Sequence, residues 1–140
     1  MKLFIANDHA GLEMKISIIE NFKKNIEFID LGTDSLESVH YPEFAKKLCH
    51  SVLKSDERGI LICGTGIGVS ITANRFKGIR ASLCHSEFDA QMTREHNDSN
   101  VLCLGARTTD KDLILKIVDR WVETSFLGGR HLKRIEMIDC

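Results

Sequence analysis

Cys63 stands immediately before Gly64-Thr65-Gly66-Ile67-Gly68, a thiol at the mouth of a loop with glycine at every second position. Alternating glycines let successive backbone N–H groups turn inward as an anion-binding concavity, and a helix N-terminus following it adds positive potential. Such a nest suits a phosphate or an oxyanion, and its converging N–H groups favour a thiolate able to abstract a proton. The loop lacks the Gly-Lys-Ser/Thr ending of a Walker A motif, and Val69 stands where a dinucleotide fingerprint has its third glycine. Taken alone, Cys63 reads more often as a small buried apolar side chain, and the neighbouring nest brings the two readings near even.

Further polar groups recur at places where chemistry is possible. His96-Asn97 offers a titratable ring and an amide at the end of a helical pattern, where a plain helix C-terminus is the alternative reading. Arg130 and Arg134 are spaced i, i+4, so they project from one helix face after the flexible Gly128-Gly129. Two guanidinium forks suit a phosphate dianion, although solvated surface arginines are the commoner case. Arg107 and His9 are candidates to complete that cage.

The elements that position these groups follow from hydrophobic patterning. Five short apolar runs, 3–6, 26–31, 59–63, 79–83 and 101–104, are bounded by Gly, Asp or Asn and are nearly continuous in apolar character. Strands covered on both faces by helices show that character. Helical patterns at 11–25, 42–55, 69–76, 87–95 and 110–125 alternate with them, and a last short helix carries residues 130–138. Alternation with right-handed crossovers predicts a three-layer α/β/α doubly wound domain with a five-stranded parallel sheet, Rossmann-like, spanning residues 1–140 as a single domain. Ligands of such sheets sit beyond the carboxyl ends of the strands, which points to Asn7-Asp8-His9, to the 63–68 loop and to Gly105-Ala106-Arg107. The connection from Gly32 to Tyr41 is long enough to be a lid, a substrate wall or an ordinary exposed loop.

Composition narrows the function further. At 140 residues the chain can bury one core, and its net charge of −1, with no Lys/Arg block, predicts no nucleic-acid partner. No apolar run approaches a membrane span and no leader pattern follows Met1, so a soluble cytoplasmic protein is the reading. Five cysteines form no Cys-x-x-Cys pair, and Cys84-His85 has no second pair at ligand spacing. Neither disulfides nor a metal is expected, and Cys49, Cys84 and Cys103 read as buried apolar positions.

Asn-Asp-His-Ala-Gly at 7–11, Ile-Cys-Gly-Thr-Gly-Ile-Gly at 62–68, His-Asn-Asp at 96–98 and Gly-Gly-Arg-His at 128–131 together resemble the ribose-5-phosphate isomerase B family over essentially the whole chain. The resemblance implies an aldose–ketose isomerase of carbohydrate metabolism. It would interconvert ribose 5-phosphate and ribulose 5-phosphate through a cis-enediolate, without metal or other cofactor. It makes Cys63 the base that moves the C2 proton to C1, with Thr65 supporting the thiolate. It assigns Gly64, Thr65, Gly66, Ile67 and Gly68 to the oxyanion, at about 3 kcal/mol per well-placed donor. His96 would assist opening of the furanose ring, and Asn97 and Asp8 would hold sugar hydroxyls. His9, Arg107, Arg130 and Arg134 would bind the phosphate, and Tyr41 would line the sugar pocket. His131 carries no role. The resemblance also implies a homodimer or dimer of dimers with shared active sites.

A branch of that family uses a glutamate base a few positions after the cysteine, whereas Ile71 and Thr72 fill that region here. Two other readings stand beside the first. One is an isomerase of a hexose 6-phosphate, such as allose 6-phosphate, or a subunit of galactose-6-phosphate isomerase. The other is a non-catalytic phosphometabolite-binding module on the same fold, which would keep the arginines but need neither Cys63 nor His96.

Overall fold

The computed structural model describes residues 1–140. Its elements in chain order are β1 (Lys2–Asn7), a 3-10 turn (His9–Gly11), α1 (Leu12–Phe22), β2 (Glu27–Asp30), α2 (Tyr41–Leu53), β3 (Arg58–Cys63) and α3 (Ile67–Ala73). There follow β4 (Ala81–Leu83), α4 (Glu87–Asn97), β5 (Val101–Gly105), α5 (Lys111–Glu123) and α6 (Arg130–Glu136). The five strands pair in parallel in the order β2-β1-β3-β5-β4, the doubly wound architecture expected from the alternating pattern.

Two cores, one on each face of the sheet, explain why the strands read as continuous apolar runs. Leu3, Ile5, Ile60, Ile62, Leu102 and Leu104 point to one face and pack with Ile18 of α1, Ala90 of α4 and Ile114, Ile117, Val118 and Trp121 of α5. Ala6, Leu61, Cys63, Val101 and Cys103 point to the other, against Ala45, Leu48 and Val52 of α2 and Val69 and Ala73 of α3. Alternate residues of each strand thus meet opposite helical layers, and neither face is left to solvent. No helix is long and apolar enough to cross a membrane.

Element ends differ from the sequence reading where side chains intervene. The helix expected at 69–76 runs from Ile67 to Ala73, because Gly66 at φ 77° turns the chain directly into the first helical turn. It stops early because the Asn74 amide pairs both ways with Ala81, donating to its carbonyl at 2.9 Å and accepting from its N–H at 2.8 Å. The strand expected at 79–83 is regular only over Ala81–Leu83. Ile79 N–H instead closes a turn on Phe76 and Arg80 N–H is taken by the Asn100 side chain.

Candidate active site

At the carboxyl edge, β1 and β3 deliver their last residues side by side, with Asn7 registered against Ile62. Asp8 N–H donates to the Ile62 carbonyl at 3.1 Å, and Gly11 sits so close to Ile62 that a Cβ would approach it to 2.8 Å. The Asp8 carboxylate caps the 3-10 turn, accepting from Ala10 N–H and Gly11 N–H through one oxygen. That work at the turn accompanies any contact to a sugar hydroxyl. β5 is tied in by Ala106 N–H to the Cys63 carbonyl at 2.9 Å and by Arg107 N–H to the Gly64 carbonyl at 2.8 Å. The Arg107 side chain then lies across Gly64, its guanidinium 3.4 Å from where a Cβ would stand.

Within this frame Cys63 is buried, and Gly66 N–H donates to its Sγ at 3.1 Å. A donor aimed at sulfur stabilises negative charge there. Gly66 is obligatory for two reasons: its φ is positive, and a Cβ would stand 2.5 Å from Leu83 and 2.9 Å from the Leu104 backbone. The contact to sulfur comes from this amide, whereas the exposed Thr65 hydroxyl accepts from Ile67 N–H at 3.2 Å. Tyr41, at the start of α2, lays its ring on Gly68, leaving 2.6 Å for a Cβ there. Tyr41 and the nest therefore share one wall.

His9 is oriented by a contact the sequence does not advertise, since Val39 N–H donates to its Nδ1 at 3.1 Å. Neutral His9 thus carries its proton on Nε2 and presents a donor. The connection from Gly32 to Tyr41 is fixed at its other end too, where the Thr33 carbonyl accepts from the buried Lys15 ammonium at 2.8 Å and from the Asn7 amide at 3.2 Å. Lys15 also pairs with Asp30 at 2.9 Å and Asp34 at 3.3 Å. The segment is thus tied at both ends.

The remaining candidates lie elsewhere. A helix returning between parallel strands runs antiparallel to them, so His96 and Asn97, at the end of α4, come out at the amino edge. Around them Arg80 Nε donates to the Asn97 carbonyl at 2.9 Å and Gly59 N–H to the Asn100 carbonyl at 2.9 Å. From Gly59 to Cys63 the strand climbs about 13 Å. His96, Asn97, Arg130, His131 and Arg134 line a cavity of about 360 Å³ bounded by Ile135 and Ile138. The cage expected from His9, Arg107, Arg130 and Arg134 is therefore not formed within one chain: the first two belong to the carboxyl edge and the other two to the amino edge.

α6 is attached to α4 at its entry, where Leu127 N–H donates to the Glu95 carbonyl, and to the turn between α3 and β4 behind its end, where Gly78 N–H donates to Asp139. This places buried His131 face to face with His96, ring centroids 4.3 Å apart and planes 13° from parallel. Burial holds the His131 pKa below the ordinary value, helped by His96, Arg130 and Arg134 and opposed by Glu95. Burial pushes Cys49 and Cys84 up to about 12 and Cys103 well above the ordinary thiol.

A larger depression of about 640 Å³ along Met1, Lys23 and Glu27 holds neither thiol nor imidazole, so chemistry rather than volume selects the site. No three His, Cys, Asp or Glu side chains are grouped to hold a metal ion.

Comparison with known proteins agrees over nearly the whole length. The ribose/galactose isomerase family model matches residues 3–138. A putative sugar phosphate isomerase of Bacillus subtilis is 47% identical over 99% of this chain and 95% of its own. Ribose-5-phosphate isomerase B of Escherichia coli is 42% identical over 98% of this chain and 93% of its own. Among solved structures, the Clostridium thermocellum ribose-5-phosphate isomerase B superposes with a TM-score of 0.96 at 48% identity, covering 99% of this chain and 95% of that one. The Mycoplasma genitalium enzyme, solved with bound ribulose-5-phosphate, superposes with a TM-score of 0.94 at 42% identity, covering 98% and 93%.

Proposed function

The chain belongs to the ribose/galactose isomerase family that includes ribose-5-phosphate isomerase B, and from that membership we propose that it interconverts ribose 5-phosphate and ribulose 5-phosphate, with Cys63 as the base. The observation that carries the assignment of the base is the Gly66 N–H aimed at Cys63 Sγ at 3.1 Å inside the glycine nest. The thiolate takes the C2 proton of the open-chain aldose, and the electron pair left behind forms the C1–C2 double bond of an enediolate whose negative oxygen faces the amides of residues 64–68. The O2 hydroxyl proton passes to O1, the C2–O2 bond becomes the ketone carbonyl as the C1–C2 double bond gives up its pair, and the same thiol returns the proton to C1, giving the ketose. Before that, His96 assists ring opening: the C1 hydroxyl loses its proton, the bond from C1 to the ring oxygen breaks, and that oxygen gains a proton. Asp8 and Asn97 hold sugar hydroxyls, Tyr41 lines the pocket, and His9, Arg107, Arg130 and Arg134 bind the phosphate.

Two half-sites at opposite edges of one sheet support a further part of this reading: each working site joins the Cys63 half of one copy to the His96 half of another. The apolar side chains beside them fit such a joint. Ile67 and Ile71 on α3 are exposed next to the nest, and Leu132, Met137 and Ile138 are exposed next to the arginines. A symmetric pair of copies would complete two sites at once.

The test is formation of ribulose 5-phosphate from ribose 5-phosphate, measured beside allose 6-phosphate and galactose 6-phosphate at equal concentration, with Cys63→Ala in parallel. Preference for the pentose, with loss of C2 proton exchange in the variant, is the expected result. Preference for a hexose would replace the substrate, and persistent exchange in Cys63→Ala would remove the assigned base.

A further inference from the structure

We propose that His131 is a positioning residue for His96, holding the imidazole of His96 in one plane by stacking while itself remaining neutral. The inference rests on the reading of His96 as the group that assists ring opening. A catalytic imidazole needs a fixed ring plane, commonly supplied by a hydrogen bond to its second nitrogen, and His9 is held in that way by Val39 N–H. His96 is held differently: its partner is the face of the His131 ring, 4.3 Å away and 13° from parallel. That arrangement leaves both His96 nitrogens free for substrate.

His131 is suited to this task by its surroundings. Its ring is buried, while its neighbours on the helix, Arg130 and Arg134, are exposed and reach the cavity it lines. Two imidazolium ions stacked face to face beside two guanidiniums would repel one another, so at most one of the two rings is cationic. Burial, His96 and the two arginines oppose charge on His131, with Glu95 on α4 the one carboxylate acting the other way. The anchoring of α6 through Leu127 N–H and Asp139 gives the supporting ring a fixed place.

Ring opening can be separated from proton transfer by choice of substrate. Ribose 5-phosphate closes to a furanose, whereas ribulose 5-phosphate, with its 5-hydroxyl phosphorylated, stays open and exchanges its C1 proton with solvent without any ring step. His131→Ala is expected to lower turnover of ribose 5-phosphate about 10-fold or more, raising the ratio of C1 exchange to aldose turnover by a similar factor. His131→Phe keeps a flat ring and is expected to recover most of the loss and to preserve the ring-current shift of the His96 proton resonances. Turnover within twofold of wild type in His131→Ala, or a Phe variant as impaired as the Ala variant, would overturn the proposal. His96→Ala measured beside them separates the two levels. Unchanged aldose turnover there removes the ring-opening reading itself, whereas loss there beside full activity in both His131 variants removes only the role of His131.

Discussion

Cys63 differs from the three cysteines buried around it by a single contact, the Gly66 N–H on its sulfur. Burial, joined by Asp89 at Cys84 and by the neighbouring thiols at Cys103, pushes Cys49 and Cys84 up to about 12 and Cys103 well above the ordinary thiol, so they remain protonated and unreactive. Alkylation with iodoacetamide at neutral pH is expected to modify Cys63 and the exposed Cys140, and mass spectrometry should find the other three untouched. Modification of Cys49 or Cys103 at a comparable rate would contradict that ranking. His131 carries a second expectation, with a definite sign. Its folded pKa lies below the ordinary 6.5, so on acidification the unfolded chain takes up this proton first and the folded state loses stability as pH falls below about 6.5. In His131→Phe this share of the acid sensitivity should vanish. Unfolding curves at neutral and mildly acid pH compare the two, and identical pH dependence would contradict the assignment.

At the scale of elements, the glycine loop and the Gly32–Tyr41 connection show what sequence reveals and what it hides. The strands were legible because two-sided burial makes them continuously apolar, and the 63–68 loop because its alternating glycines, weak alone, follow directly on a strand-end cysteine. The anchors were not. Lys15 reads as one more polar residue on an amphipathic helix, yet its ammonium is buried among Asp30, Asp34 and the Thr33 carbonyl. Val39 acts through its backbone, which no side-chain pattern reports. Lys15→Met is expected to destabilise the fold by about 1–3 kcal/mol, because it strips partners from a buried carbonyl and a half-exposed carboxylate, and to speed hydrogen exchange across residues 33–39. Unchanged protection in that segment would contradict its role as anchor. Gly66→Ala combines a left-handed φ with a contact of 2.5 Å to Leu83 and is expected to cost roughly 2–5 kcal/mol in urea unfolding. A variant within 1 kcal/mol of wild type, on the ordinary scale of surface substitutions, would show that the loop yields.

For the whole molecule the decisive relation is between sheet edges. Strand-end positions for Asp8, Cys63 and Arg107 could be read from the alternation of elements. So could the amino-edge position of His96, since a helix joining two parallel strands returns toward their beginnings. The resemblance implied sites shared between copies, but which of the proposed phosphate ligands stand at which edge came only from the fold. Arg130 and Arg134 sit beside His96 on α6, while His9 and Arg107 stand with the nest. Nor did the sequence distinguish His131 from a bystander, because stacking against His96 depends on how α6 docks on α4. In the proposed assembly two copies related by a twofold axis reconcile the separation, each supplying what the other lacks.

The most direct measurement is subunit complementation between Cys63→Ala and His96→Ala, each assayed alone with ribose 5-phosphate and again after the two are unfolded together and refolded as an equal mixture. Half of the dimers formed are mixed, and each mixed dimer holds one intact site of two, so recovery of about a quarter of wild-type turnover is expected from two nearly inactive parents. A mixture no more active than its parents, with wild type regaining activity under the same refolding, would contradict a site shared between two copies.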